Sequence, residues 1–114
     1  IADDFDNGRS VEQYQRSFEN TGVVCIAYAE GRIIGTARAL SDGVCNAYIV
    51  DVWTYTPYRK QGIARTMIQK LIEKLPGQHV YLFTDDSPEF YRRLGFKERG
   101  VGLEIMSGQW LVNE

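Results

Sequence analysis

From Ile63 onward the apolar residues Ile63, Met67, Ile68, Leu71, Ile72 and Leu75 recur every three or four positions, while Arg65, Gln69, Lys70, Glu73 and Lys74 fall opposite. That spacing predicts a helix with one buried stripe, ended by Pro76-Gly77. The chain before it reads as strand. Residues 23–29, 33–40 and 47–55 are rich in β-branched, aromatic and aliphatic side chains, with Glu30-Gly31-Arg32 and Ser41-Asp42-Gly43 as the turns between them. At the start, Ser10 followed three residues later by Gln13 has the form of a capping box for a helix over residues 11–18. Val11, Tyr14 and Phe18 share one face of that helix, and Asn20-Thr21-Gly22 stops it. Past the central helix come a strand over residues 80–83, a short helix over 88–94 closed by Gly95, and a terminal hairpin of residues 96–99 and 103–112 around Gly100 and Gly102. Strand, helix, strand in succession implies a parallel pair joined by a right-handed crossover. The fold class is therefore α/β of the α+β kind: a mixed, mostly antiparallel central sheet with flanking helices.

Composition narrows the setting. At 114 residues the chain is long enough for one core and too short for two, so a single domain over residues 1–114 is expected. A net charge of −2, with no basic run longer than two residues, gives no reason to expect nucleic acid as a partner. No apolar run approaches the ~20 residues of a membrane span, and Ile1-Ala2-Asp3-Asp4 is too acidic for a signal peptide. The expected location is the cytoplasm, with no membrane partner. Cys25 and Cys45 sit in apolar stretches without C-x-x-C spacing, and His79 is the one histidine, so buried free thiols are expected and no metal site. His79 itself reads as a surface residue.

The junction between the third strand and the central helix carries the chemistry. There Val52-Trp53-Thr54-Tyr55-Thr56-Pro57-Tyr58-Arg59-Lys60-Gln61-Gly62-Ile63-Ala64-Arg65 passes from strand through turn into helix. First-turn N–H groups of a helix have no internal partner and stand at the positive end of its dipole, so they suit an anion. Gly62 and Ala64 keep side chains out of the way, and Arg59, Lys60 and Arg65 add positive charge that favours a diphosphate. A nucleoside-triphosphate loop is excluded, because Gly62 is followed by Ile63-Ala64 and not by Lys-Ser or Lys-Thr. A dinucleotide fingerprint is excluded too, since one glycine stands where three are needed.

The remaining pattern R-x-x-G-x-A, Arg59 to Ala64, resembles the pyrophosphate-binding motif of the GNAT superfamily of N-acetyltransferases. A second match supports it: Val80-Tyr81-Leu82-Phe83 and Pro88-Glu89-Phe90-Tyr91-Arg92-Arg93-Leu94-Gly95-Phe96 look like that family's next strand and its F-Y-x-x-L-G-F helix and turn. The resemblance covers nearly the whole chain. It departs at the start, where the family's first strand and helix are absent: residues 1–9 are too short and polar to supply both. Either the chain lacks its start or it is a minimal variant, and in both cases the strand over residues 23–29 is left as an edge that favours a homodimer.

The resemblance implies that the third strand and the strand over residues 80–83 splay apart as a parallel pair, leaving backbone groups for the pantetheine arm of acetyl-coenzyme A. The diphosphate then lies over Gln61, Gly62, Ile63, Ala64 and Arg65, beside Arg59 and Lys60. The thioester lies by Trp53 and Thr54, where a strand N–H polarises its carbonyl. The acceptor is an amine, and no metal is needed. Tyr91 matches the tyrosine that the family commonly uses as general acid toward the departing sulfur, while Phe90 reads as core. For proton removal, the third strand places Ile49, Asp51, Trp53 and Tyr55 on one alternating face, making Asp51 either a base, an anchor for a cationic acceptor, or a structural hydrogen-bonding group. Arg38 either binds an acidic group of the acceptor or pairs with Asp51. Trp53, Tyr55 and Tyr48 line an acceptor pocket or fill the core, as does Trp110. Arg92-Arg93 reach a nucleotide phosphate or lie on a solvated face, and Asp85-Asp86-Ser87 replaces a cofactor-contacting asparagine of many relatives. Two functions stay open: an acetyl-coenzyme A-dependent N-acetyltransferase, and a noncatalytic acyl-coenzyme A-binding module of the same fold.

Overall fold

A computed structural model describes residues 9–111 of the chain. The elements in order are α1 (Val11–Glu19), β1 (Val23–Ala29), β2 (Arg32–Ser41), β3 (Asn46–Thr54), a single 3₁₀ turn (Thr56–Tyr58), α2 (Ile63–Glu73), β4 (His79–Tyr81) and α3 (Pro88–Arg93). The chain divides into two compact units, residues up to Leu82 and residues from Phe83 onward.

In the first unit the four strands form one sheet in the order β1-β2-β3-β4. β1, β2 and β3 are antiparallel neighbours, and β4 runs parallel to β3. β2 is the central strand, buried continuously from Ile34 to Ala39. Adjacent side chains of a strand point to opposite faces, and the two helices take one face each. On one face Ala37 packs with Met67 and Leu71 of α2, and Val23, Cys25, Ala27, Val52 and Ile63 close around them. On the other, the Arg38 guanidinium reaches Ser17 of α1 and lies over the rings of Tyr14 and Phe18.

α1 begins as its letters direct: the Ser10 hydroxyl accepts from the Gln13 N–H and the Gln13 side chain accepts from the Ser10 N–H. Tyr14 is buried and meets Phe18 edge to face, but Val11 is 73% exposed, because a nine-residue helix turns only part of its apolar face onto the sheet. The turn from β2 to β3 is held by Asp42, whose carboxylate accepts from the N–H groups of Val44, Cys45 and Asn46. Those three bonds hold its pKa down at about 2.

Several expectations change. Cys45 is exposed in that turn, while Cys25 is half-buried against the core; both are free thiols. In α2 the buried stripe is Met67, Ile68 and Leu71, continued by Leu75 beyond the helix end, while Ile72 turns outward. β4 is shorter and earlier than residues 80–83, since its pairing with β3 runs only from Asn46↔His79 to Tyr48↔Tyr81. The alternation on β3 is broken as well. The register passes from Arg38↔Asp51 to Ala39↔Ile49, so Val50 is an extra residue and Ile49 faces the α2 side with Ala39, away from Asp51.

The second unit contains α3, which starts at Pro88 and closes through the left-handed Gly95. The predicted terminal hairpin is not formed within the described residues: none of residues 96–111 is in a strand, and Val112 lies outside them. Val101, Leu103 and Ile105 keep their period-2 spacing but are 85%, 87% and 94% exposed. Alternation states that a segment fits a pleated surface; it does not supply the partner strand that stabilises one. Gly100, in a left-handed conformation, turns the backbone just before them. Gly102 lies against the ring of Phe83, where a Cβ would collide with it.

Candidate active site

The site begins where β3 leaves β4. Pairing ends at Tyr48↔Tyr81, yet β3 continues to Thr54. Along residues 49–54, the side of β3 facing β4 therefore carries backbone groups outside any strand pairing. A polar extended ligand satisfies such an edge as an added strand would. Buried on these central strands, the hydroxyls of Thr54 and Thr36 have no hydrogen-bond partner. An orphaned buried hydroxyl beside an open strand edge fits a ligand that brings amide groups.

From Thr54 the backbone bends into the 3₁₀ turn, fixed by Tyr55 N–H donating to the Ile34 carbonyl at 2.7 Å. Arg59 folds back, its Nε donating to the Thr54 carbonyl at 2.7 Å. It thereby ties the turn to the end of β3 while remaining at the surface. Lys60 takes a left-handed conformation at φ +64°, and so does Gly62 at φ +83°. An added Cβ at Gly62 would meet nothing within 4 Å, so the space beside this residue is open. α1 closes its N-terminus with a serine side chain; α2 has Gly62 as its N-cap and no side-chain cap. The N–H groups of Ile63, Ala64 and Arg65 are thus left to an external acceptor, with Lys60, Gln61 and Arg65 exposed around them. These residues fit a diphosphate.

Next to the turn lies a run of aromatic rings. Trp53 and Tyr55 are 6.2 Å apart between centroids, and Tyr55 and Tyr58 are 6.4 Å apart. The guanidinium of Arg32 sits 5.2 Å above the Tyr55 ring. The Tyr58 hydroxyl donates to Glu30 at 3.0 Å, and that bond pushes the phenol above its ordinary pKa. This contact ties the β1–β2 turn to the loop, and no spacing in the chain signals a contact between residues so far apart.

Arg38 and Asp51 face each other across β2 and β3. The Arg38 Nε lies 3.1 and 3.0 Å from the two Asp51 oxygens, and its Nη2 lies 2.8 Å from Oδ2. Its Nη1 donates to Ser17 Oγ at 2.5 Å and to Thr21 Oγ1 at 3.2 Å. Of the two roles open to Arg38, pairing with Asp51 is the one this geometry displays. Tyr48 is half-buried opposite Leu40 and Tyr81.

In the second unit Tyr91 is half-buried, edge-on to Phe90 at 5.0 Å and to Phe96 at 5.7 Å. Burial, with a smaller contribution from the negative charge of Asp86, pushes its phenol above the usual value of 10.0. Arg92 is engaged by Glu89 and Glu98, and Arg93 is exposed. Asp85 and Asp86 are exposed as well, and Trp110 lies at the surface. Among the described residues no group of His, Cys, Asp and Glu is placed to hold a metal ion, and no helix is long and apolar enough to cross a membrane.

A helix N-terminus without a side-chain cap thus follows in the chain on a strand edge released from its parallel neighbour. Residues 2–96 match the model of the acetyltransferase (GNAT) family. The chain belongs to the GNAT family. This GNAT chain is 42% identical over 79 residues to the histone acetyltransferase TAP1 of Glycine max, an alignment covering 66% of this chain and 34% of that protein. It is 31% identical over 96 residues to the chloroplastic serotonin N-acetyltransferase 2 of Oryza sativa subsp. japonica, covering 77% of this chain and 48% of that one. The chain thus spans between a third and a half of these relatives. In fold it superposes on a GNAT family acetyltransferase from Streptococcus pneumoniae with a TM-score of 0.78, at 20% identity, covering 90% of this chain and 84% of the other.

Proposed function

We propose that this GNAT chain is an acetyl-coenzyme A-dependent N-acetyltransferase, acting as one domain on a primary amine of a small molecule or peptide. The observation that carries the reading is the junction of β3 and α2, where a strand edge released from its neighbour leads into a helix N-terminus without a side-chain cap. Main-chain N–H groups of residues 61–65 hold the diphosphate, with Arg59, Lys60 and Arg65 supplying positive charge. Backbone groups of β3 near Trp53 and Thr54 hold the pantetheine arm and orient the thioester carbonyl. The coenzyme supplies an activated acetyl carbon when bound. A neutral amine acceptor would bond through its nitrogen to that carbon as the carbon–sulfur bond breaks; Tyr91 would give its phenolic proton to the departing sulfur, and the proton released from the nitrogen would return through water to the Tyr91 phenolate. Trp53 and Tyr55 offer aromatic surface to the acceptor. The named relatives point to a histone and to serotonin, both of which present a primary amine. One of those names also places its protein in the chloroplast, so the compartment proposed is aqueous, cytoplasm or plastid.

The test is incubation with acetyl-coenzyme A and a panel of amines, including a lysine peptide and an arylalkylamine, with thiol release and acetylated product measured together. Stoichiometric thiol and product are expected with at least one amine. Tight coenzyme binding with no product from any amine contradicts the reading and favours a noncatalytic acyl-coenzyme A-binding module.

A further inference from the structure

The extra residue in β3 sits at a consequential place. Val50 lies two positions past the last β3–β4 pair, so the strand is re-aimed where it parts from its parallel neighbour. Bulged strands slip unless something fixes which residue is extra, and a slip of one residue exchanges the faces of every side chain beyond it. Here the fixing group is one side chain. Arg38 is 2% exposed, holds both oxygens of Asp51, donates to Ser17 and Thr21, and lies 4.7 Å from the Phe18 ring centroid. It binds the end of α1, the centre of β2 and the residue just after the bulge into one cluster.

We infer that Arg38 is a positioning residue for acetyl transfer: by clamping Asp51 it locks the Val50 bulge and so aims the Trp53–Thr54 segment at the reacting group. The inference rests on the transferase reading above. It gives Asp51 the same positioning role, in place of proton removal, because Arg38 already occupies both carboxylate oxygens. It also removes Arg38 as a ligand for the acceptor, since Nε, Nη1 and Nη2 are all engaged inside the protein.

Three variants test it: Asp51→Asn, Arg38→Lys, and the double replacement Arg38→Met with Asp51→Leu. Turnover, coenzyme affinity by calorimetry, thermal melting and the pH profile of kcat/KM are measured on each. Asp51→Asn keeps an oxygen for the guanidinium, so kcat should fall by no more than about 5-fold, with the pH profile unmoved. A loss of ~100-fold or more, together with disappearance of the acidic limb, would make Asp51 the base and overturn the inference. The double variant removes both charges and leaves no buried ion unpaired, so it should fold. Its kcat should fall by ~100-fold while the coenzyme dissociation constant stays within about 3-fold of wild type. Unchanged kcat overturns the inference, and so does a parallel loss of affinity. Arg38→Lys keeps the charge without the fork, and should recover part of the lost kcat. It and Asp51→Asn carry the test if the double variant does not fold. A wild type that binds coenzyme and acetylates nothing overturns the transferase reading and this inference together; turnover in wild type with equal turnover in every variant overturns this inference alone.

Discussion

Replacing Gly62 by glutamate should weaken coenzyme binding by at least ~100-fold, about 2.8 kcal/mol, which is the loss of one or two charge-assisted hydrogen bonds. The expected cause is electrostatic, since a Cβ at this position meets open space. The residue sits at φ +83°, so any side chain carries left-handed strain of about 1–2 kcal/mol. A carboxylate also occupies the positive end of α2, where it competes with the diphosphate for the same N–H groups and repels it. Because an anion at a helix N-terminus is favourable to the helix itself, Gly62→Glu should fold no worse than Gly62→Ala. Binding by calorimetry separates the two effects: Ala should cost less than ~10-fold in affinity, and Glu far more. Equal losses for Ala and Glu would mean that strain in the loop, and not competition for the amides, sets the affinity.

Tyr91→Phe should lower kcat by ~100-fold or more, the contribution of a positioned general acid, and leave coenzyme affinity within about 2-fold. The substitution keeps the ring that packs edge-on against Phe90 and Phe96, so melting should be unaffected. The sign of the pH dependence follows from the phenol. An acid works while protonated, and burial pushes this group above its usual value of 10.0. Any loss of wild-type kcat through deprotonation of Tyr91 should therefore set in at higher pH than for an ordinary phenol, and it should be missing from the phenylalanine variant. Retained turnover in Tyr91→Phe would remove this residue from the mechanism.

What the letters disclosed and what they withheld divide along a physical line. Local signals were legible: the Ser10–Gln13 capping box, the bounds of β1 and the start of α2 at Ile63 each depend on neighbours a few residues away. The turn proposed to cradle a diphosphate is legible for the same reason, as it is one continuous stretch of chain. The clamp was only half visible. Arg38 and Asp51 were both marked, but the Val50 bulge that sets their register, and the Ser17 and Thr21 hydroxyls that complete it, are products of sheet pairing and of α1 lying over β2. The bulge also moved Ile49 to the other face, which a period-2 reading cannot foresee. The terminal hairpin shows the converse error. Val101, Leu103 and Ile105 have the spacing of a strand, and spacing alone does not provide a partner.

In the proposed complex, main-chain amides at the mouth of α2 grip a diphosphate while the released edge of β3 holds the arm attached to it. Amide proton–nitrogen spectra recorded during titration with coenzyme A test this most directly. Saturable shifts are expected at Gly62, Ile63, Ala64 and Arg65 and, with the same dissociation constant, within residues 49–54 of β3. Saturation with those amides unmoved and shifts clustered elsewhere would contradict it.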